Sequence, residues 1–160
     1  MAIRAQLLAE RIELGAEKLA EFIEKLSEAE WEATIPGEER KAGVLVHHVA
    51  SSYPAEIDLA YTLASGKPIT GVTPDDIDSI NADHARDYAK VNKTDVLNLL
   101  RENSKVAADR VRKLSDAELD RSEKVSLNAD APLTTQFFIE DHALRHSFTH
   151  LESIKKSLGR

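Results

Sequence analysis

The sequence contains no cysteine. That excludes a disulfide framework, a cysteine-ligated zinc site, a thiol nucleophile and a redox-active thiol, so any metal site built by the chain must use His, Asp or Glu. Basic runs longer than pairs such as Lys155-Lys156 are also missing, and 21 basic against 28 acidic residues give a net charge of -7. A polyanion would meet net repulsion, which ranks nucleic-acid binding low. No stretch approaches the roughly 18 consecutive apolar residues of a membrane span. The opening MAIRAQLLAERIELG carries two Arg and two Glu among its apolar residues, unlike the unbroken apolar core of a signal peptide. A cytoplasmic protein that does not engage membranes is expected.

Strict apolar-polar alternation, the mark of a half-buried strand, is almost absent, whereas four long segments repeat their apolar residues every three or four positions. The fold class is therefore expected to be all-α, as a single domain over residues 1-160, long enough to bury a core without staples. The first helix spans about Ile3 to Leu26, with Leu8, Ile12, Ala16, Leu19, Ile23 and Leu26 on one face. Ser27 and Glu30 read as a capping box opening a short extra turn, which TIPGEE ends with Pro36 and Gly37. The second helix runs from near Lys41 through VLVHHVASSYPAEIDLAYTLA to Gly66, a C-cap glycine, with a kink or altered hydrogen bonding expected at Pro54.

A long connection, 66 to 93, follows. Within it Thr73-Pro74-Asp75-Asp76 is a good helix start, predicting a helix around 75 to 89. The third long helix covers about Thr94 to Leu114; Ser115 and Glu118 form another capping box before the irregular RSEKVSLNADAP, and the last helix runs from near Leu133 to near Leu158. Helix pairs joined by one long and otherwise short connections suggest a four-helix bundle with a helix-containing crossover between helices 2 and 3.

On a helical wheel the second helix sets His48 on the flank of its apolar face, with Ser52 and Glu56 rolling into that face, while His47 points outward. On the last helix His150 lies nearest the centre of the apolar face, His146 on its flank and His142 farther out. Two His at i and i+4 are about 6 Å apart along the axis, close enough to share one ion if His48 supplies a third ligand. Three imidazoles would leave coordination positions open, the pattern of a catalytic site in which a bound water or thiol becomes a nucleophile near neutral pH. The same i,i+4 spacing also suits a partly exposed polar flank, and Ser52 and Glu56 suit either a pocket lining, where they would support the ion or accept a proton, or mutual satisfaction. Asn103 and Glu140 are further polar residues on apolar faces.

GVLVHHVASSYPAEI, INADHARDYAKVNKTDVLNLLRENS, LSDAELDR and the terminal HSFTHLESI together resemble the DinB-like (DinB/YfiT-like) superfamily of metalloenzymes, from Trp31 to Ile154. The resemblance implies an up-down-down-up four-helix bundle, often a homodimer, holding a divalent metal, zinc or nickel, on three histidines that match His48, His146 and His150 here. It also implies chemistry with a low-molecular-weight thiol such as bacillithiol, mycothiol or glutathione, in a transferase-like reaction on a small-molecule substrate. A metal-dependent hydrolase is the neighbouring expectation. A non-catalytic bundle serving binding or stress response is the alternative from another class.

Overall fold

The computed structural model describes residues 2-160. Helix α1 (Ile3–Glu24) buries Ala5, Leu8, Ala9, Ile12, Ala16, Leu19, Ala20 and Ile23, one continuous stripe, and ends as Lys25 and Leu26 close onto the carbonyls of Phe22 and Ile23. Ser27 then caps α2 (Glu28–Trp31): its hydroxyl accepts from the Glu30 amide, and the Glu30 carboxylate accepts from the Ser27 amide at 2.8 Å. Trp31 is buried and donates its indole N–H to the Val91 carbonyl at 3.2 Å. That bond pins the end of the crossover to the start of the chain.

Residues 34 to 41, expected only to stop the first helical unit, form a hairpin of β1 (Thr34–Ile35) and β2 (Arg40–Lys41), with Glu39 in the left-handed region at φ 55°. Two-residue strands are too short to leave a periodic signal. Helix α3 (Ala42–Ala64) follows and is continuous through Pro54. Proline has no N–H to offer the carbonyl four residues earlier, Ala50; the Asn103 side chain donates to that carbonyl instead, at 2.9 Å. The helix ends at Gly66, φ 78°, with Gly66 and Lys67 bonding back to Leu63 and Thr62.

The crossover carries α4 (Pro74–Asp87), capped by Thr73 with Asp76 reciprocating. Helix α5 (Lys93–Val111) starts from Asn92, which accepts from the Asp95 amide at 3.0 Å. Ser115 and Glu118 do form a capping box, on α6 (Asp116–Asp120). The stretch read as irregular instead holds β3 (Ser122–Lys124), paired antiparallel with β4 (Pro132–Thr134). The last helix begins at α7 (Thr135–Ile139), with Thr134 as its cap, passes through a π-helical turn, Glu140–Leu144, and continues as α8 (Arg145–Ser157). A wheel of uniform pitch cannot anticipate the π turn, which changes the angular relation between the residues before it and those after it.

Contacts fix the direction of each helix. Arg112 reaches Glu13 while Lys93 reaches the Leu26 carbonyl, so α1 and α5 are antiparallel. Asn103 meets Ala50 and Arg110 meets Asp58, so α3 and α5 are parallel. Arg4 meets Gln136 and Arg160 meets Glu30, so α1 and the last helix are parallel. The result is an up-down-down-up bundle in which α5 and α8 each pack between α1 and α3. At Gly15 α1 approaches α8 so closely that a Cβ would overlap Ser147 Oγ and lie 2.7 Å from the Phe148 ring. Among the described residues, no helix is long and apolar enough to cross a membrane.

Candidate metal centre

One of the four seams of the bundle, that between α3 and α8, is polar at its middle. His48 projects from α3, and His146 and His150 project from α8 one turn apart; one ring nitrogen from each lies within 4.8 Å of the others. His48 Nε2 and His146 Nε2 are 2.9 Å apart, and the His146 and His150 ring centres are 4.9 Å apart. The structure brings His48, rather than His47, together with His146 and His150.

Behind two of the rings stand carboxylates. His146 Nδ1 is 2.9 Å from Glu56 Oε1, and His150 Nδ1 is 3.3 Å from Glu38 Oε1, both in contact but out of line for a hydrogen bond. Carboxylates on the far nitrogen of an imidazole orient the ring and turn the other nitrogen toward an ion. Burial pushes His48 down to about 2, helped by the charges of His146, His150 and Arg40, and pushes His150 down to about 4. Near neutral pH these two rings are therefore neutral and present lone pairs, the form in which imidazole ligates metal. The donor set fits a divalent cation.

Glu56 has a second carboxylate oxygen, buried and without a hydrogen-bond partner. Ser52 does not satisfy it: the Ser52 hydroxyl donates to the His48 carbonyl at 2.6 Å, bracing the helix under the ligand, while its side chain lines the pocket. His142 is not turned out to solvent. Its Nδ1 is 3.0 Å from the Phe138 carbonyl and its ring stacks on Phe138 at 4.0 Å, an arrangement within the π turn. His47 is half-buried rather than on the surface; it stacks on Tyr88 at 4.0 Å and its Nδ1 is 2.8 Å from His84 Nε2. Asn103 is spent on Ala50, and Glu140 accepts from Gln136 at 3.0 Å, so neither enters the site.

Three residues of the site escaped sequence reasoning. Glu38 and Arg40 come from the unanticipated hairpin. Burial raises Glu38, but the hydrogen bond from Arg40, 3.0 Å away, together with the charges of His150 and Arg40 holds it below the usual carboxylate range. Arg40 also has a buried, unpartnered Nη1. His84 comes from α4, and burial first, then the charges of His47 and Arg40, push it down to about 4. The periodic placement of Ile77, Asn81 and His84 on one face of α4 was the signal that could have found it.

The histidines open on a pocket of about 780 Å³ between α3, α4 and the last helix, within the size range of small-molecule sites. The sequence profile of the DinB superfamily matches residues 11–154. None of the curated proteins matches in sequence. Among solved structures, YfiT from Bacillus subtilis, described as a probable metal-dependent hydrolase with an unusual four-helix bundle topology, superposes with a TM-score of 0.71 at 15% identity, over 97% of this chain and 87% of that one. At that identity the likeness is one of fold.

Proposed function

Since this chain belongs to the DinB superfamily, we propose that it is a divalent-metal-dependent enzyme in which His48, His146 and His150 hold the ion and the adjoining pocket holds a small-molecule substrate. The observation that carries this reading is the convergence of three ring nitrogens within 4.8 Å, two of them backed by carboxylates, at the wall of a pocket. Zinc and nickel both suit an all-imidazole set. With three protein ligands, such an ion has open positions and supplies Lewis acidity, lowering the pKa of a water or thiol near neutral pH.

The chain's own residues do the rest. Glu56 orients His146 through Oε1 and offers its unpartnered Oε2 as the proton acceptor for the incoming nucleophile. Glu38 orients His150 and is itself held by Arg40. Ser52 braces the backbone of His48. Hydrolysis is the first reaction proposed, supported by the likeness of fold to YfiT and by the unpartnered Glu56 Oε2 beside His146.

A second reading, transfer to a low-molecular-weight thiol, is supported by the absence of any thiol in the chain and by Arg40 and Arg145 on the pocket wall, which suit the carboxylates of such a cosubstrate. A homodimer is also proposed, supported by Leu7 and Leu14 on α1 and Phe137 on α7, each about half exposed. Light scattering tests it.

Zinc- or nickel-loaded protein offered ester and amide substrates, and separately a chloroaromatic electrophile with each of the three thiols, tests the reaction. Turnover in one panel, abolished by chelation and lowered about 10²-fold or more in Glu56→Gln, is expected. Loaded protein inert in both panels would point to the non-catalytic bundle.

A further inference from the structure

The pocket is a trough with two different ends. On α3, His48 stands at one end and Leu59 at the other, eleven residues and about 16 Å apart along the helix axis. Helix α4 runs antiparallel beside it: His84 is beside His47 and His48, while its first residue, Pro74, lies near the 3-10 turn Ser126–Asn128, where Ser126 Oγ donates to the Val72 carbonyl at 2.6 Å. The end away from the histidines is lined by Leu59, Pro74, Ile77 and Leu127, with Asp78 as its one charged residue and Ile80 between the ends. Helix α4 buries no residue at all, and Ile80 is 58% exposed. Leaving apolar side chains in the wall of a pocket, on a helix whose opposite face carries Asp75, Asp76, Ser79 and Asp83, costs hydrophobic free energy that a ligand would recover.

We propose that this far half seats the apolar part of an amphiphilic small-molecule substrate whose polar, reacting group lies at His48, His146 and His150. The length of the trough accommodates an extended chain of about ten carbons or a flat ring with a short linker, at roughly 1.3 Å per methylene, within the 16 Å rise noted above. The assignment deepens the enzymatic reading of the histidines and takes from it only which end reacts. The apolar half stands on its own lining.

The test uses two homologous series. Acetohydroxamate, butanohydroxamate, hexanohydroxamate and octanohydroxamate, which chelate metal through a constant head, are titrated into zinc-loaded protein by calorimetry; the matching linear alcohols are titrated into metal-free protein. Affinity is expected to rise about threefold to fourfold per methylene in both series. In Ile80→Ser and Leu127→Ser the rise per methylene flattens, while acetohydroxamate binding and zinc stoichiometry stay as in wild type. Ile80 is exposed, so its variant folds and keeps the test decisive. Affinity independent of chain length in both series, or an equal rise in the two variants, would overturn the proposal. Failure of zinc to bind alongside a preserved alcohol series would overturn the metal reading and leave the apolar seat supported.

Discussion

Along the seam of α1 and α5 the charged groups that bridge the two helices find partners: Arg101 spans Glu17 and Glu24, Arg112 spans Glu13, Asp109 and Gln6, and Lys93 caps the Leu26 carbonyl. Along the seam of α3 and α8 the opposite holds. Tyr53 Oη and Glu56 Oε2 are buried without a hydrogen-bond partner, His146 Nδ1 and His150 Nδ1 touch Glu56 and Glu38 without an aligned hydrogen bond, and among the described residues α1 and α5 contribute no such atom. Each unsatisfied buried polar group costs about 1–3 kcal/mol. One side of the bundle is therefore finished for stability, and the other keeps polar groups that an apolar sequence could have avoided. Places where a sequence breaks its own packing rule are where a site is expected.

The largest effects expected from this contrast differ in size on the two seams. Leu19→Ala, at a fully buried position of α1, is expected to lower stability by about 2–5 kcal/mol. His150→Leu in metal-free protein, on the other seam, should cost far less, within about 1 kcal/mol of wild type in either direction, because a ring nitrogen that touches Glu38 at 3.3 Å without an aligned hydrogen bond gives way to an apolar group. Urea denaturation of both variants checks the pair. A loss at His150→Leu as large as that at Leu19→Ala would erase the distinction between the seams.

A pH series sharpens it further. In the metal-free protein His48 and His150 titrate near 2 and 4 when folded, against 6.5 in the unfolded chain. Below pH 6.5 the unfolded chain then binds more protons than the folded one. Stability is full above 6.5 and declines as pH falls toward 4, by up to about 1.4 kcal/mol per pH unit for each group. Melts from pH 7.5 to 5 should show this slope, and the double variant His48→Leu, His150→Leu should reduce it, leaving the share of His84, which is likewise pushed down to about 4.

The four long helices, the crossover helix and all three histidines were legible in the sequence because each rests on a repeated pattern: apolar spacing, capping boxes, and ring positions relative to a helix face. What was illegible had no period. Glu38 and Arg40 reach the site from two-residue strands around a turn, and His142 sits differently because the π turn shifts the register that a uniform wheel assumes. His47, expected on the surface, is covered by α4, and packing between elements far apart in sequence is not written in either one alone.

Pro54 provides a smaller test on the border between the seams. Asn103→Ala removes the donor to the Ala50 carbonyl and is expected to cost about 1–2 kcal/mol. In a Pro54→Ala background the helix can supply its own N–H, so the cost should shrink; additive losses in the double-mutant cycle would refute the assigned role of Asn103. Smallest of all, Arg101→Met on the well-partnered side removes a half-exposed ion pair and should cost about 0.5 kcal/mol or less, vanishing in high salt.

The most direct test of the account is metal content by plasma mass spectrometry on untagged protein, wild type beside His48→Ala and His150→Ala, after loading with zinc or nickel. The account predicts about one equivalent per chain in wild type and near none in either variant. Wild-type protein that takes up no metal, or variants that retain it, would contradict the assignment of His48, His146 and His150 as the metal centre.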